Sequence, residues 1–166
     1  MLTEKLKARF GDLILSAQNE RDEETFTINR EGAYDFFRAL RDEPDFQFNF
    51  LTDVTAVDWL ERKPRYDVVY QLNSLPLAHR IRVKIGVDGP EPWVHSVVGV
   101  WGAADWLERE CFDMFGIDFK GHPDLRRILM YDSFEGHPLR KDYLYNKRQP
   151  IVPEIDPVVN PIRSSR

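Results

Sequence analysis

Apolar residues recur along this chain with two periods, near four and near two, and the alternation between them sets out the expected elements. Leu2, Leu6 and Phe10 stand four apart, a short amphipathic helix that Gly11 can end. DLILSAQ and ETFTINR then read as strands joined by the polar turn NERDEE, the second alternating through Phe26 and Ile28. EGAYDFFRALRDE returns to the helical period, with Ala33, Phe36, Phe37 and Leu40 on one face and Pro44 closing it.

FQFNFLTDVTAV follows, and then a hairpin: RYDVVYQL, the turn-rich NSLPLA, and HRIRVKIGV. In the last of these Ile81, Val83, Ile85 and Val87 alternate with Arg80, Arg82 and Lys84, so one face is buried and the other wet. VHSVVGVW is expected as a last strand and GAADWLERECFDMFG as a last helix, ended by Gly116. These elements predict an α+β fold, a two-layer sandwich of one mixed β-sheet with helices on one face. From about Asp118 the regular pattern fades, and 5 of the 11 prolines lie after residue 130. The expected division is therefore an α+β body at 1–117, a loop region packed on it at 118–145, and an extended proline-rich arm at 146–166. In the arm, Pro150, Pro153, Pro157 and Pro161 exclude a helix or central strand, while Ile and Val recur between them as apolar anchors.

The last helix carries the chemistry. Ala104, Leu107, Cys111, Phe112, Met114 and Phe115 fall in one arc of its wheel, and Asp105, Arg109, Glu110 and Asp113 in the other. Two residues disobey the division. Glu108 lies in the apolar arc, where a carboxylate must be paired, neutralised or near the rim, either snorkelling to solvent or meeting a partner. Trp106 lies among the charges, so it is covered by a loop or serves an interface. Glu110 and Asp113 repel each other unless a cation joins them, and Arg126 and Arg127 are the expected cations.

Composition removes several function classes. The formal net charge is -5, and 23 of the 28 acidic residues but only 17 of the 23 basic ones precede residue 131. No Lys and Arg cluster is available to displace counterions from nucleic acid. Cys111 is the only cysteine, which excludes an internal disulfide and an iron–sulfur cluster held by this chain's thiolates alone. No apolar run approaches the roughly 20 residues of a membrane helix, and MLTEKLKARFGD has no signal-peptide core. GxGxxG, GxxxxGK[ST], CxxC and HExxH are all absent from the sequence. His122, Asp124 and His137 could imitate a metal cluster, although histidine beside proline in a turn more often serves as a cap or contact. A free-standing acid/base enzyme would draw on Glu108, Asp113 and His122.

ERECFDMFG, then GHPDLRRILM, then EGHPLRKDY resembles the signature of the C-type subunit family of complex I, the thirty-kilodalton subunit, nearly position for position. The match is strong over residues 93–145 and follows the upstream body in general layout. It embraces Glu108, Arg109, Glu110, Asp113, Gly121, His122, Asp124, Arg126 and Arg127, and extends through His137, Arg140, Lys141 and Asp142. With Trp106, these are the residues expected at a partner interface or in the signature's own structure. The resemblance implies a non-catalytic hydrophilic-arm subunit of a proton-translocating NADH:quinone oxidoreductase, packed against the D-type subunit near the quinone-reducing region. It implies no cofactor on this chain, with NADH, FMN, iron–sulfur clusters and quinone on other subunits. It also implies a peripheral position on the cytoplasmic side of the bacterial inner membrane, reached only through the complex. Related subunits occur in membrane-bound hydrogenases and other quinone-reducing complexes.

Overall fold

The computed structural model describes residues 2–21 and 23–149. Helix α1 (Leu2–Phe10) runs through a single 3-10 turn into β1 (Ile14–Glu20), which turns back as β2 (Glu23–Ile28). Helix α2 (Ala33–Asp42) is followed by β3 (Phe50–Asp58), β4 (Tyr66–Ser74) and β5 (His79–Val87). The body closes with β6 (Trp93–His95), α3 (Ala104–Phe115) and β7 (Asp118–Lys120). The five long strands form one sheet in the order β1-β2-β5-β4-β3, with only β2 and β5 parallel. The expected mixed sheet and α+β class are therefore the observed ones.

Alternation along the strands decides which face is covered. Phe26, Val54, Val68, Tyr70, Ile81, Val83 and Ile85 are buried on one face, and the helices supply its second layer. All four residues read from the helical period of α2, Ala33, Phe36, Phe37 and Leu40, are buried. Phe37 is the hub of this layer, its ring centroid 4.5 Å from Tyr70, 5.6 Å from Phe36 and 5.8 Å from Trp101. Trp101 in turn donates from its indole to the Phe48 carbonyl at 3.0 Å, which ties the segment before α3 to the entry of β3. Cys111 fixes α3 against β3, its thiol donating to the Val54 carbonyl at 3.4 Å. The opposite face carries Thr25, Thr27, Gln71, Asn73, Arg82 and Lys84.

Two expectations fail at the end of the body. VHSVVGVW is not one strand: β6 stops at His95, and Val100 and Trp101 donate back to Val97 in a turn. Glu108 accepts the Val97 N–H, which is thereby lost to any ladder, and also holds the Ser96 hydroxyl. The second failure is the fading of pattern placed at Asp118. Residues 118–120 form β7, parallel to β6, a separate two-stranded sheet too short for periodicity to reveal.

Beyond β7 the chain is held by turns and side chains. Residues 146–149, the first four of the expected arm, fold back on the loop. There Gln149 accepts from the Glu135 N–H at 2.9 Å and donates to its carbonyl at 3.1 Å. The rest of the expected arm, 150–166, lies outside the described residues.

Candidate functional site

The signature residues gather around the C-terminal half of α3, and the centre is Asp113. The helical wheel places Asp113 on the wet arc, yet it is fully buried. One carboxylate oxygen accepts from three successive backbone N–H groups, Ile128 at 3.0 Å and Leu129 and Met130 at 2.8 Å. The other accepts from Arg127 at 2.6 Å. Burial alone would raise the Asp113 pKa, but these donors outweigh it and hold the carboxyl below its ordinary range. Wheel geometry could not anticipate this, because the covering comes from a loop and not from the helix's own amphipathic partner.

Arg127 also donates to the Gly136 carbonyl at 3.0 Å, so one guanidinium joins α3, the RRILM run and the second GHP tripeptide. Its neighbour does otherwise. Arg126 pairs with Asp124 at 2.9 Å on the surface, and Glu110 is exposed, so the expected neutralisation of Glu110 by this arginine pair is not observed. Arg109 donates to the carbonyls of Arg126 and Arg127, each at 3.2 Å, and stands 5.5 Å from the Trp106 ring. Trp106 is 64% exposed, so no loop covers it.

The helix end is capped by the second half of the signature. Gly116 takes a left-handed conformation (φ 69°), and a Cβ there would come within 2.5 Å of His137 and Arg140, so only glycine fits. Arg140 donates to the carbonyls of Phe115 and Gly116, placing positive charge on the negative end of the helix dipole. His137 bonds through Nδ1 to the Asp113 carbonyl at 2.9 Å, and burial pushes its pKa down. His122 occupies the other side of α3: Nε2 lies 3.1 Å from the Asp105 carbonyl, and Nδ1 accepts from the Asp124 N–H at 3.0 Å. Gly121 (φ 87°) makes the turn that brings His122 there.

Sequence reading missed a second anchor, Asp58 at the end of β3. It is buried and accepts from Arg65 at 2.9 and 2.7 Å, from the Leu60 N–H at 2.8 Å and from the Lys141 N–H at 2.9 Å. The Arg65 bonds, helped by these backbone donors, hold its carboxyl well below the usual carboxylate range. Arg65 continues to Asp142 at 3.0 Å, so Lys141 and Asp142 are clamped to the β3–β4 connection. The available signal was an acid two residues after an apolar alternation (Ala56, Asp58), on the core parity of the strand.

Glu108 resolves differently from either expectation. It neither reaches solvent nor faces a partner: it is fully buried, with Ser96 at 2.6 Å and the Val97 N–H at 2.7 Å. Burial raises its pKa to about 7, more than those two bonds lower it. Glu108, Asp113 and His122, the acid/base set, thus bond to three different backbone segments inside the structure. No group of three His, Cys, Asp or Glu side chains converges on a metal-sized site among the described residues.

Beside its exposed charges, the signature region presents large apolar side chains outward: Trp106, Leu129, Tyr131, Leu139, Leu144 and Tyr145 are exposed, Tyr145 almost completely. Residues 26–149 match the family described as the 30 Kd subunit of respiratory-chain NADH dehydrogenase. The C-type subunit of NADH-quinone oxidoreductase from Citrifermentans bemidjiense is 51% identical over 139 residues, covering 84% of this chain and 85% of that protein. The protein of the same name from Geobacter sulfurreducens is 49% identical over 140 residues, with 84% and 85% covered. Among solved structures, a trypsin-resistant fragment of Nqo5 superposes with a TM-score of 0.62 at 32% identity, covering 75% of this chain and 96% of the fragment. A chain of the membrane-bound sulfane sulfur reductase, an archaeal respiratory membrane complex, shares the fold at 22% identity, with a TM-score of 0.73 and coverage of 87% and 85%. With a family match across most of its length and relatives near half identical, this chain belongs to the family of the 30 Kd subunit of respiratory-chain NADH dehydrogenase.

Proposed function

We propose that this chain works as the C-type subunit of an NADH-quinone oxidoreductase, a non-catalytic member of the hydrophilic arm that holds geometry. Its partner is a D-type neighbour beside the quinone-reducing region. The observation that carries this reading is the direction in which the signature points. Asp113, Arg127, His137 and Arg140 are engaged with backbone groups of the loop and helix, whereas Leu129, Tyr131, Leu139, Leu144 and Tyr145 on that loop are exposed. Buried charge-assisted hydrogen bonds of this kind fix a loop, and a pre-fixed loop with exposed aromatic and aliphatic side chains loses less entropy on docking.

No helix among the described residues is long and apolar enough to cross a membrane. In this reading the chain reaches the cytoplasmic side of the inner membrane through its partners. NADH, flavin, iron–sulfur clusters and quinone reside on those partners, and this chain binds none of them.

The test is purification of the tagged chain from its native membranes beside the isolated chain. The complex is expected to contain a larger, D-type protein and to oxidise NADH. The isolated chain is expected to lack stoichiometric zinc or iron and flavin absorption. Recovery of the chain alone, or a metal or flavin that survives dialysis of the isolated chain, would overturn the proposal.

A further inference from the structure

The signature region leaves one surface of the body unexplained. The short sheet of β6 and β7 buries Val94 and Phe119, and turns Trp93, His95, Asp118 and Lys120 to the other side. Trp93 is only half-buried, and two cations stand against its indole: the Arg30 guanidinium at 3.8 Å and the Lys120 ammonium at 3.5 Å from the ring centroid. They come from segments far apart in sequence, the β2–α2 connection and β7. The His95 ring meets the same indole edge-on, 5.2 Å between centroids.

We propose that this Trp93 face is a second docking surface, one that takes an acidic segment of a neighbouring protein in the complex; the proposal rests on the assembly reading above. Charge is the first argument. The chain as a whole is acidic, at -5, yet neither Arg30 nor Lys120 forms an ion pair among the described residues. Asp118, beside Trp93 in the strand register, makes no ion pair with Lys120. The face therefore carries two cations that no carboxylate pairs with among the described residues, against the single acid Asp118 on the same side, and carboxylates are their natural complement.

Pre-organisation is the second argument. A cation over a half-buried indole gains little in water, too little by itself to bring two like charges to one ring. What the arrangement does achieve is to hold both flexible side chains in place beforehand, so a partner carboxylate finds its donors positioned. Trp and Arg are also the residue types enriched at the energetic centres of interfaces. The surface differs in kind from the signature loop, which offers apolar side chains: this one would steer encounter and depend on salt.

The experiment uses the intact assembled complex. Carbodiimide joins a lysine amine directly to a carboxylate in contact with it, and mass spectrometry of the digest identifies the pair. Lys120 is expected to be joined to an Asp or Glu of a different protein in the complex, and its acetylation by an amine reagent is expected to fall several-fold between isolated chain and complex. Replacing Arg30→Glu with Lys120→Glu is expected to slow association about tenfold at low salt and much less at high salt. Cross-links of Lys120 only within this chain or to a second copy overturn the proposal. So does equal acetylation in the free and assembled states, and so does protection without any carboxylate cross-link, which would mean a non-acidic cover. A chain that enters no assembly overturns the parent reading instead, whereas one that assembles with Lys120 free overturns this inference alone.

Discussion

The sheet body and the signature loop are held together by different forces, and helix α3 belongs to both. Where α2 meets β4 and the segment before α3 the contacts are aromatic, Phe37 against Tyr70 and Trp101, and stability there scales with apolar area removed from water. The loop from Gly121 to Gln149 has no comparable core of its own. Its described order comes from Asp113 and Asp58, two buried carboxylates that collect N–H groups from Ile128, Leu129, Met130 and Lys141. The contrast is condensed in one helix, where Glu108 and Asp113 are both buried but titrate in opposite directions. Glu108 meets two donors against the body and rises; Asp113 meets an arginine and three amides against the loop and falls. Burial raises both carboxyls, and the hydrogen-bond donors that come with it decide the sign of the net shift.

The largest expected effect falls on the body. Phe37→Ala should cost about 3–5 kcal/mol, as large-to-small changes in a close-packed core do, and should lower the cooperative midpoint in urea for the whole chain. A loss confined to the loop would mean the two regions are not divided as described. Asp113→Asn, next in size, should cost about 3 kcal/mol, because the buried carboxylate that joins Arg127 to three loop amides is lost and the half-buried Arg127 keeps no counter-charge. Here the loss should be local. Amide exchange is expected to accelerate at 128–130 and to stay slow along β4 and β5.

Titration sharpens the contrast without disturbing packing. Glu108 holds its proton more tightly when folded, so it contributes to stability at low pH, and that contribution is lost as pH rises through about 7. Between pH 5 and 8 the chain should lose about 2–3 kcal/mol from this group, and Glu108→Gln should flatten the curve, as urea melts across that range would measure. Asp113 and Asp58 act in the opposite sense: their contribution is present above the ordinary carboxylate range and disappears as pH falls below it. The smallest effect concerns the adjacent arginines. A double-mutant cycle should find coupling between Arg127 and Asp113 but additivity between Arg126 and Asp113, since Arg126 only reaches the exposed Asp124.

Period alone made the body legible. Ala33, Phe36, Phe37 and Leu40 could be assigned to a buried face because a helix and a sheet each supply a repeating geometry. The loop has no repeat, so its residues could be grouped by motif while their partners could not be deduced. Arg126 and Arg127 look equivalent in sequence, and only the path of the chain decides which one meets Asp113. Asp58 was missed for the same reason, being far from the Lys141 amide it binds. Glu108 shows a third limit: a polar residue on an apolar arc announces a constraint, but its outcome here was set by Ser96 and Val97, in a segment read as strand.

Asp113, Arg127 and Arg140 act inward to build the loop, and in the proposed reading its exposed apolar side chains make the contact with a neighbouring protein. The most direct measurement of this division is assembly of a chain carrying Leu129→Ser, Leu139→Ser and Leu144→Ser, positions that are exposed in the chain itself. The expected result is an unchanged melting temperature and a loss of association of at least tenfold, about 1.4 kcal/mol or more. Association at the original affinity by a folded triple variant would contradict it.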